Sequence, residues 1–539
     1  MTPYRLAENH IFEYGDNIYV FHVNKFKGFR INEALRDEIQ SLKMADVFPV
    51  ESLSDELRSA LDKMDLLRDN KLPRKPQIKM PQRQPVATIS LNVAQLCNLS
   101  CIYCYGVDGE YGEKGLMKGD TAFEAVDWLF EQSMDYPDLT IQFFGGEPLL
   151  NFSQVKKVVA YANEKAAAAG KNMHFSMTTN GTMFTDEINK FLNDNNFAMM
   201  VSFDGNAEMQ NKNRPFKGGQ GSYEVAQKRI RKFLASRDAK ATIARATITG
   251  NNTDLEEVRR SLVDLGFKSA SAIQVTMPNS SIFPEEEKKR LQKEKGKPSS
   301  CATKGGCGSK IAEAPKSNTS FEVKLDTSSL KMPKLKKAKI LEQTDSQIHA
   351  NEFERIMADI KFRAIDTLDK IKKRKNIPDK FILDLIHRLY NKKPLFYFCG
   401  GGRTYMSVSV SGDIYPCHRM VGQKDKKIGH IRDWDPAQQK PYIHNYGMGH
   451  EKCSGCFARF FCGGGCFQES IENNGSMAEP HDEWCQQMRS SLEHAIVIYD
   501  NLDIFDKAHL GMLKKKKKDK AEQSGQQAIE TMAAASPRG

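Results

Sequence analysis

Between residues 86 and 276 the chain repeats one pattern six times. Short β-rich runs occur at 86–93, 139–144, 173–179, 198–203, 241–249 and 271–276. Between them lie stretches with helical periodicity near 121–134, 153–168, 185–194, 222–235 and 253–265. A strand followed by a helix and then another strand buries its apolar face best as a parallel β/α unit. Six strands joined by five helices in this way predict an α/β fold with a partial or full barrel. Catalytic groups of such barrels sit at the carboxyl ends of the strands.

The next constraint comes from "CNLSCIYCYG", which follows the first strand directly. Cys97, Cys101 and Cys104 are three thiols at spacings of four and three, with no fourth Cys or His beside them. A structural zinc site closes with four ligands, commonly in paired CxxC units. A four-iron cubane on three thiolates keeps one iron open to a substrate or cofactor. The second strand ends in "FFGGEPLL", the third in "TTNGT" and the fourth in "SFDG". Taken alone, "GGEP" reads as a turn. Gly145 and Gly146 let a backbone approach a ligand, and Glu147 supplies a carboxylate.

A second cysteine field lies at 394–490. It holds Cys399, Cys417, Cys453, Cys456, Cys462, Cys466 and Cys485, seven of the 12 cysteines of the chain. Seven thiols exceed one metal site and fall one short of two closed cubanes. The sequence has no run of about 18 apolar residues, the length a membrane span needs. Its start, "MTPYRLAENH", lacks an apolar signal core. The expectation is a cytoplasmic protein without membrane contact, whose clustered thiols serve as metal ligands or catalysts rather than as disulfides. The net charge of +11 lies largely in runs such as "KKKKK" at 514–518 and "PKLKKAK" at 333–339. These runs carry no interleaved aromatics, which argues against nucleic-acid binding.

Around this core the sequence divides further. Residues 1–80 read as a small α+β module. It has a hairpin, "HIFEY" then "GDN" then "IYVFHV", and helices at about 32–44 and 51–68 with Leu57, Leu61 and Leu66 on an apolar stripe. Residues 81–283 form the core. A charged insertion at 284–345 reads as mostly disordered. A helical bridge spans 346–393 and the cysteine-rich domain 394–490. A C-terminal helix and basic disordered tail cover 491–539.

The three cysteines after the first strand, with Tyr103 before the last of them, resemble the radical S-adenosylmethionine (SAM) superfamily. The later strand-end motifs follow in the order of that family, over about 200 residues. The resemblance implies a partial (β/α)6 barrel and a [4Fe-4S] cluster on Cys97, Cys101 and Cys104. SAM chelates the open iron and yields a 5'-deoxyadenosyl radical. Cofactor contacts are implied for Tyr103, Gly145, Gly146, Glu147 (to the methionine ammonium), Asn180, Ser202 (to the ribose) and Asp204. Arg214 or Arg245 is the candidate for the carboxylate of the cofactor, or a plain salt-bridging arginine.

The second field resembles the loop-rich SPASM extension of these enzymes, which carries two auxiliary [4Fe-4S] clusters, making three in all. Cys399, Cys417 and Cys466 would hold the first, and Cys453, Cys456, Cys462 and Cys485 the second. "CGGGRTYMSV" lacks the further cysteine that closes the first auxiliary cluster in some relatives. A substrate thiolate or a distant ligand would complete it. Cys301 and Cys307 are the distant candidates, or idle thiols of a flexible loop.

Sulfatase-activating relatives carry an acidic residue where this chain has His418. "CHRMVG" is more similar to thioether-forming peptide maturases of the SCIFF or ranthipeptide type. His418 is a candidate base near neutral pH, or a structural histidine. The implied partners are a precursor peptide with a leader, gripped by the winged-helix-like 1–80 module, and a small electron donor, ferredoxin or flavodoxin. The alternatives are a carbon–carbon cross-link, formylglycine formation, or a non-enzymatic zinc-bearing peptide-binding adaptor.

Overall fold

The computed structural model describes residues 3–69, 80–274 and 345–513, apart from 108, 238–241, 250, 253, 269, 376 and 378. Cys301, Cys307, the expected insertion from 284 to 344 and the basic run at 514–518 lie outside the described residues. The chain divides into two compact units, one built on Met1–Asn70 and the other on Lys71–Ile282 with Arg355–Gly539.

In the first unit the expected hairpin forms from β2 (Asn9–Tyr14) and β3 (Asn17–His22), and β4 (Lys27–Ile31) extends it into an antiparallel sheet. A second small sheet places β1 (Pro3–Leu6) between β5 (Phe48–Pro49) and β6 (Leu67–Asp69). Asn32 and Ser54 cap the helices Glu33–Ala45 and Asp55–Lys63 by accepting a backbone N–H each. The apolar stripe turns inward: Val20, Ile39, Leu61 and Leu66 are fully buried together.

The second helix is shorter than the 51–68 expected. It ends at Lys63 because Asp65 takes a left-handed conformation, φ 56°, and turns the chain into β6. Arg68 donates to the Asp65 carboxylate at 2.7 Å, and Lys25 approaches it at 3.1 Å. The hydrogen bond from Arg68, then Lys25, holds that carboxyl well below the usual range. A depressed carboxyl stabilises the fold above its unfolded pKa, and the gain is lost as pH falls. Asp65→Asn is therefore expected to flatten the loss of stability below about pH 4 without disturbing the left-handed turn, which Asn tolerates. The pair is half exposed, so the effect is under about 1 kcal/mol, read from urea melts of the chain between neutral and acid pH.

In the second unit the six expected strands are present. They are β7 (Thr88–Gln95), β9 (Asp138–Gly145), β10 (Asn172–Thr179), β11 (Ala198–Ser202), β12 (Thr242–Ile248) and β13 (Ala270–Gln274), all parallel and side by side in chain order. The two-residue β8 (Gly115–Leu116) pairs with the end of β7. Helices Gly119–Gln132, Phe152–Ala169, Asp186–Asp194, Tyr223–Ala235 and Leu255–Leu265 fall within two residues of the periodicity.

Successive residues of β7 point to opposite faces. Ile89, Leu91 and Val93 join the large core with Val126, Leu129, Ile141 and Val158. Ser90 and Asn92, on the other face, are buried and polar. The sheet also continues past its first strand. β14 (Tyr405–Val408) runs parallel to β7, and β15 (Asp413–Tyr415) and β16 (Gly429–His430) follow antiparallel. Asn92 ties the join, donating to Val408 O at 3.0 Å and Ser407 Oγ at 3.2 Å. The boundary expected at 394 is thus not a break in the structure: Met406, Val408, Ile414 and Ile431 belong to the same core.

Candidate functional site

The loop that carries the first three thiols leaves β7 and is stitched to a second segment by main-chain bonds. Ser100 N donates to Pro215 O at 2.8 Å, Ile102 N to Asn213 O at 3.0 Å and Lys217 N to Asn98 O at 3.1 Å. That pairing sets Arg214 against the thiols. Its Nη1 donates to Tyr103 Oη at 2.6 Å, and Tyr103 donates onward to Asp204 Oδ2 at 2.7 Å. Asp204, at the end of β11, also accepts from Thr247 N at 3.1 Å. Arg214 is buried with its Nε unpartnered among the described residues. Its cation lies within electrostatic reach of Cys97, Cys101 and Cys104.

Burial first, then the neighbouring thiols, pushes Cys97 up to about 12 and Cys104 up to about 11. These sulfurs hold their protons until a metal displaces them. Leu99 N and Asn180 Nδ2 point at Cys97 Sγ from 3.4 and 3.8 Å. Three sulfurs, donors aimed at one of them and a buried cation with an unpartnered Nε fit an anionic iron–sulfur cluster.

The motif at the end of β9 packs against the base of this loop. Gly145 has φ 126°, and a Cβ there would lie 2.2 Å from Ala94 O. A Cβ on Gly146 would lie 2.3 Å from Leu96 O. Gly146 N and Glu147 N donate to Ala94 O and Leu96 O at 2.8 Å each. Glu147 faces inward, not toward open space. Its carboxylate is fully buried and accepts from Leu149 N at 3.1 Å, Asn180 N at 2.8 Å and Thr179 Oγ1 at 2.9 and 3.0 Å. Burial raises its pKa to about 7 against these donors. The carboxylate expected to face a methionine ammonium thus joins the ends of β9 and β10. Ser202 ends β11, half-buried, in register with Arg245 of β12.

Cys399, Cys417 and Cys466 lie within electrostatic reach of one another. Burial pushes Cys417 up to about 12, with Cys466 and Cys399 adding to the rise. Main-chain donors approach two of these sulfurs, Gly401 N to Cys399 at 3.4 Å and Arg419 N to Cys417 at 3.3 Å. Arg419 lies 4.0 Å from Cys466 Sγ and is neutralised by Glu469 and Glu472 at 2.9 and 3.1 Å.

Cys453, Cys456, Cys462 and Cys485 line one cavity. Trp484 Nε1 donates to Cys462 Sγ at 3.3 Å. Among the described residues no three of His, Cys, Asp and Glu are grouped to hold a single metal ion. Four sulfurs around one cavity suit a cubane.

His418 sits between the first two thiol groups. Its ring lies 4.7 Å from Phe144, 6.1 Å from Tyr405 and 6.5 Å from Tyr105, centroid to centroid. Its Nδ1 is 2.8 Å from Tyr405 Oη. Burial, then Arg245 and Arg419, pushes it down to about 3. The imidazole is therefore neutral at pH 7 and a weak base, not one poised near neutrality. Tyr105, Phe144 and Tyr405 were not legible as its partners, since they come from three separate segments, the thiol loop, β9 and the start of β14.

The sequence profile of the radical SAM superfamily matches residues 91–243. An uncharacterized protein of Methanocaldococcus jannaschii is 32% identical over 181 residues, 34% of this chain and 60% of that protein. The serine-type anaerobic sulfatase-maturating enzyme of Bacteroides thetaiotaomicron is 32% identical over 152 residues, 26% of this chain and 35% of that enzyme. The chain therefore spans less than two thirds of the curated relatives it matches. Among solved structures, anSMEcpe with bound AdoMet superposes with a TM-score of 0.55 at 18% identity, over 79% of this chain and 98% of that one. The same protein with AdoMet and a Cp18Cys peptide gives 0.52 at 17%, over 78% and 100%. These likenesses show the fold. In described residues no helix is long and apolar enough to cross a membrane. The thiol loop at the end of the first parallel strand thus lies within the stretch, residues 91–243, that matches the radical SAM superfamily.

Proposed function

We propose that this chain is a radical SAM maturase that forms a thioether from a cysteine of a ribosomally made precursor peptide. One observation carries the reading. Two groups of three thiols, Cys97–Cys101–Cys104 and Cys399–Cys417–Cys466, adjoin through Tyr105 and His418, the residues that directly follow Cys104 and Cys417. Neither group has a fourth thiol among the described residues. The peptide bound by anSMEcpe, whose fold this chain shares, supports a peptide substrate.

Cys97, Cys101 and Cys104 would hold a [4Fe-4S] cluster, which with SAM would supply radical hydrogen abstraction from carbon. The chain's own residues prepare the place. Arg214 sets a buried cation beside the three sulfurs, held by Tyr103 and Asp204. Asn180 steadies Cys97, and Gly145 and Gly146 keep side chains away from the loop. Ser202 lines the strand ends next to Arg245. Phe144, Tyr105 and Tyr405 pack around His418. Cys399, Cys417 and Cys466 would hold the first auxiliary cluster with a position free for the thiolate of the substrate, since soft sulfur suits iron. Cys453, Cys456, Cys462 and Cys485 would hold the second. A ferredoxin or flavodoxin is the electron donor. The leader adds as a strand to a sheet edge of the first unit, where β2 and β4 are edge strands.

The test is to load the protein with iron and sulfide anaerobically and supply SAM, a strong reductant and a cysteine-containing precursor. The product is expected to lose two hydrogens and one alkylatable thiol. A product that loses the hydrogens but keeps the thiol means a carbon–carbon cross-link. No loss of mass overturns the reading.

Trp484→Phe removes one hydrogen bond to a cysteine of the second auxiliary site. A donor to a thiolate favours the reduced, more negative state, so its loss lowers the reduction potential. For a bond of about 1 kcal/mol the expected fall is about 50 mV, read by potentiometric titration followed by EPR.

A further inference from the structure

The two arginines of the site differ in what neutralises them. Arg214 lies against Tyr103, Asp204 and Cys101, on the side of the first thiols. Arg245, half-buried on β12, meets only a weak acceptor, Met200 Sδ at 3.5 Å. No acid among the described residues pairs with it. The charged and ionisable groups acting on it are Tyr105, Arg419 and Tyr103, and Arg419 repels it. Arg419 in turn is satisfied by Glu469 and Glu472. Arg245 also acts on His418. Its positive charge thus lacks an acidic partner among the described residues and lies within electrostatic reach of Tyr105, Tyr103 and His418.

Removing a cation from water without a counter-ion is costly, and the cost is met when a ligand brings the anion. A guanidinium recognises a planar carboxylate through two parallel hydrogen bonds. We propose that Arg245 is a specificity-determining residue that binds a carboxylate of the substrate peptide, an Asp or Glu side chain or the C-terminus, next to the cysteine to be modified. This rests on the peptide-maturase reading. It replaces the expectation that Arg245 holds the carboxylate of the cofactor, because Arg214 already stands beside the first thiols with an unpartnered Nε.

The test uses the full-length, cluster-loaded chain and two pools of synthetic peptides. Each peptide has one cysteine and, at one of the other positions, either a single Asp or a single Asn. Peptides retained at equilibrium are read by mass spectrometry, and SAM binding is measured separately by equilibrium dialysis. The wild type is expected to retain Asp peptides about tenfold over their Asn partners at one spacing from the cysteine. Arg245→Gln abolishes that preference and Arg245→Lys keeps part of it, while SAM affinity stays within about twofold, the range of a residue that does not touch the cofactor.

Circular dichroism and iron content confirm that each variant is folded and loaded. A wild type without the preference overturns the proposal. So does an Arg245→Gln variant that keeps it, or one whose SAM affinity falls about tenfold with the preference intact, which would make the cofactor the source of the carboxylate. Absence of deoxyadenosine release on reduction defeats the maturase reading instead, and the retention assay still decides for Arg245.

Discussion

Cys101→Ala is expected to abolish deoxyadenosine release and remove about four irons per chain, one cubane. Two thiols cannot retain a cluster that already relies on three, and no other Cys or His of this loop can replace the lost one. Arg214 adds to the loss. Its buried guanidinium lies beside Cys101 and keeps an unpartnered Nε, so removing the anion leaves a buried cation with Asp204 as its nearest charge. Cys485→Ala is the contrast. It also removes about four irons, but from the cavity shared with Cys453, Cys456 and Cys462. Deoxyadenosine release without peptide then survives, while turnover of peptide is lost. Iron analysis and chromatographic detection of deoxyadenosine on the two variants check both halves. Equal loss in both would mean that the two sites are not separable in this way.

Gly146→Ala is expected to cost much of the stability of the fold. The added carbon would lie 2.3 Å from Leu96 O, 2.5 Å from Leu96 C and 2.8 Å from Gly109 O. All three are main-chain atoms, so no side chain can rotate aside. The ends of β7 and β9 must part. Gly146 N and Glu147 N then lose their acceptors, Ala94 O and Leu96 O. The expected cost is about 4 kcal/mol, and the midpoint of thermal unfolding falls by about 10 °C. Gly170→Ala is the control. Gly170 also has a positive φ, 64°, but nothing lies within 4 Å of its Cβ position. That substitution should cost only about 1 kcal/mol, the penalty of a left-handed residue. Scanning calorimetry of the two variants separates crowding from backbone strain.

The repeating strands and helices were legible because each carries its own period, and their order in the sheet follows their order in the chain. Thiol grouping was legible too, because cysteines are scarce and their spacing is short. Pairing between remote segments was not. Nothing in "TYMSV" announces that β14 lies beside β7, since that choice depends on Asn92 reaching Ser407 and Val408. The inward turn of Glu147 was hidden for the same reason: its donors, Thr179 and Asn180, arrive from another strand. The weak basicity of His418 was not legible, because it depends on burial and on Arg245 and Arg419, and burial cannot be read from neighbours in sequence. The early end of the helix at Lys63 escaped because Asp65, not a glycine, takes the left-handed turn.

The stitching of residues 98–102 to residues 213–217 runs through main-chain hydrogen bonds. The two stretches therefore hold the sulfurs as one structural piece. Anyone transplanting this reactive loop into another scaffold would have to carry both halves across, however distant they stand along the polypeptide.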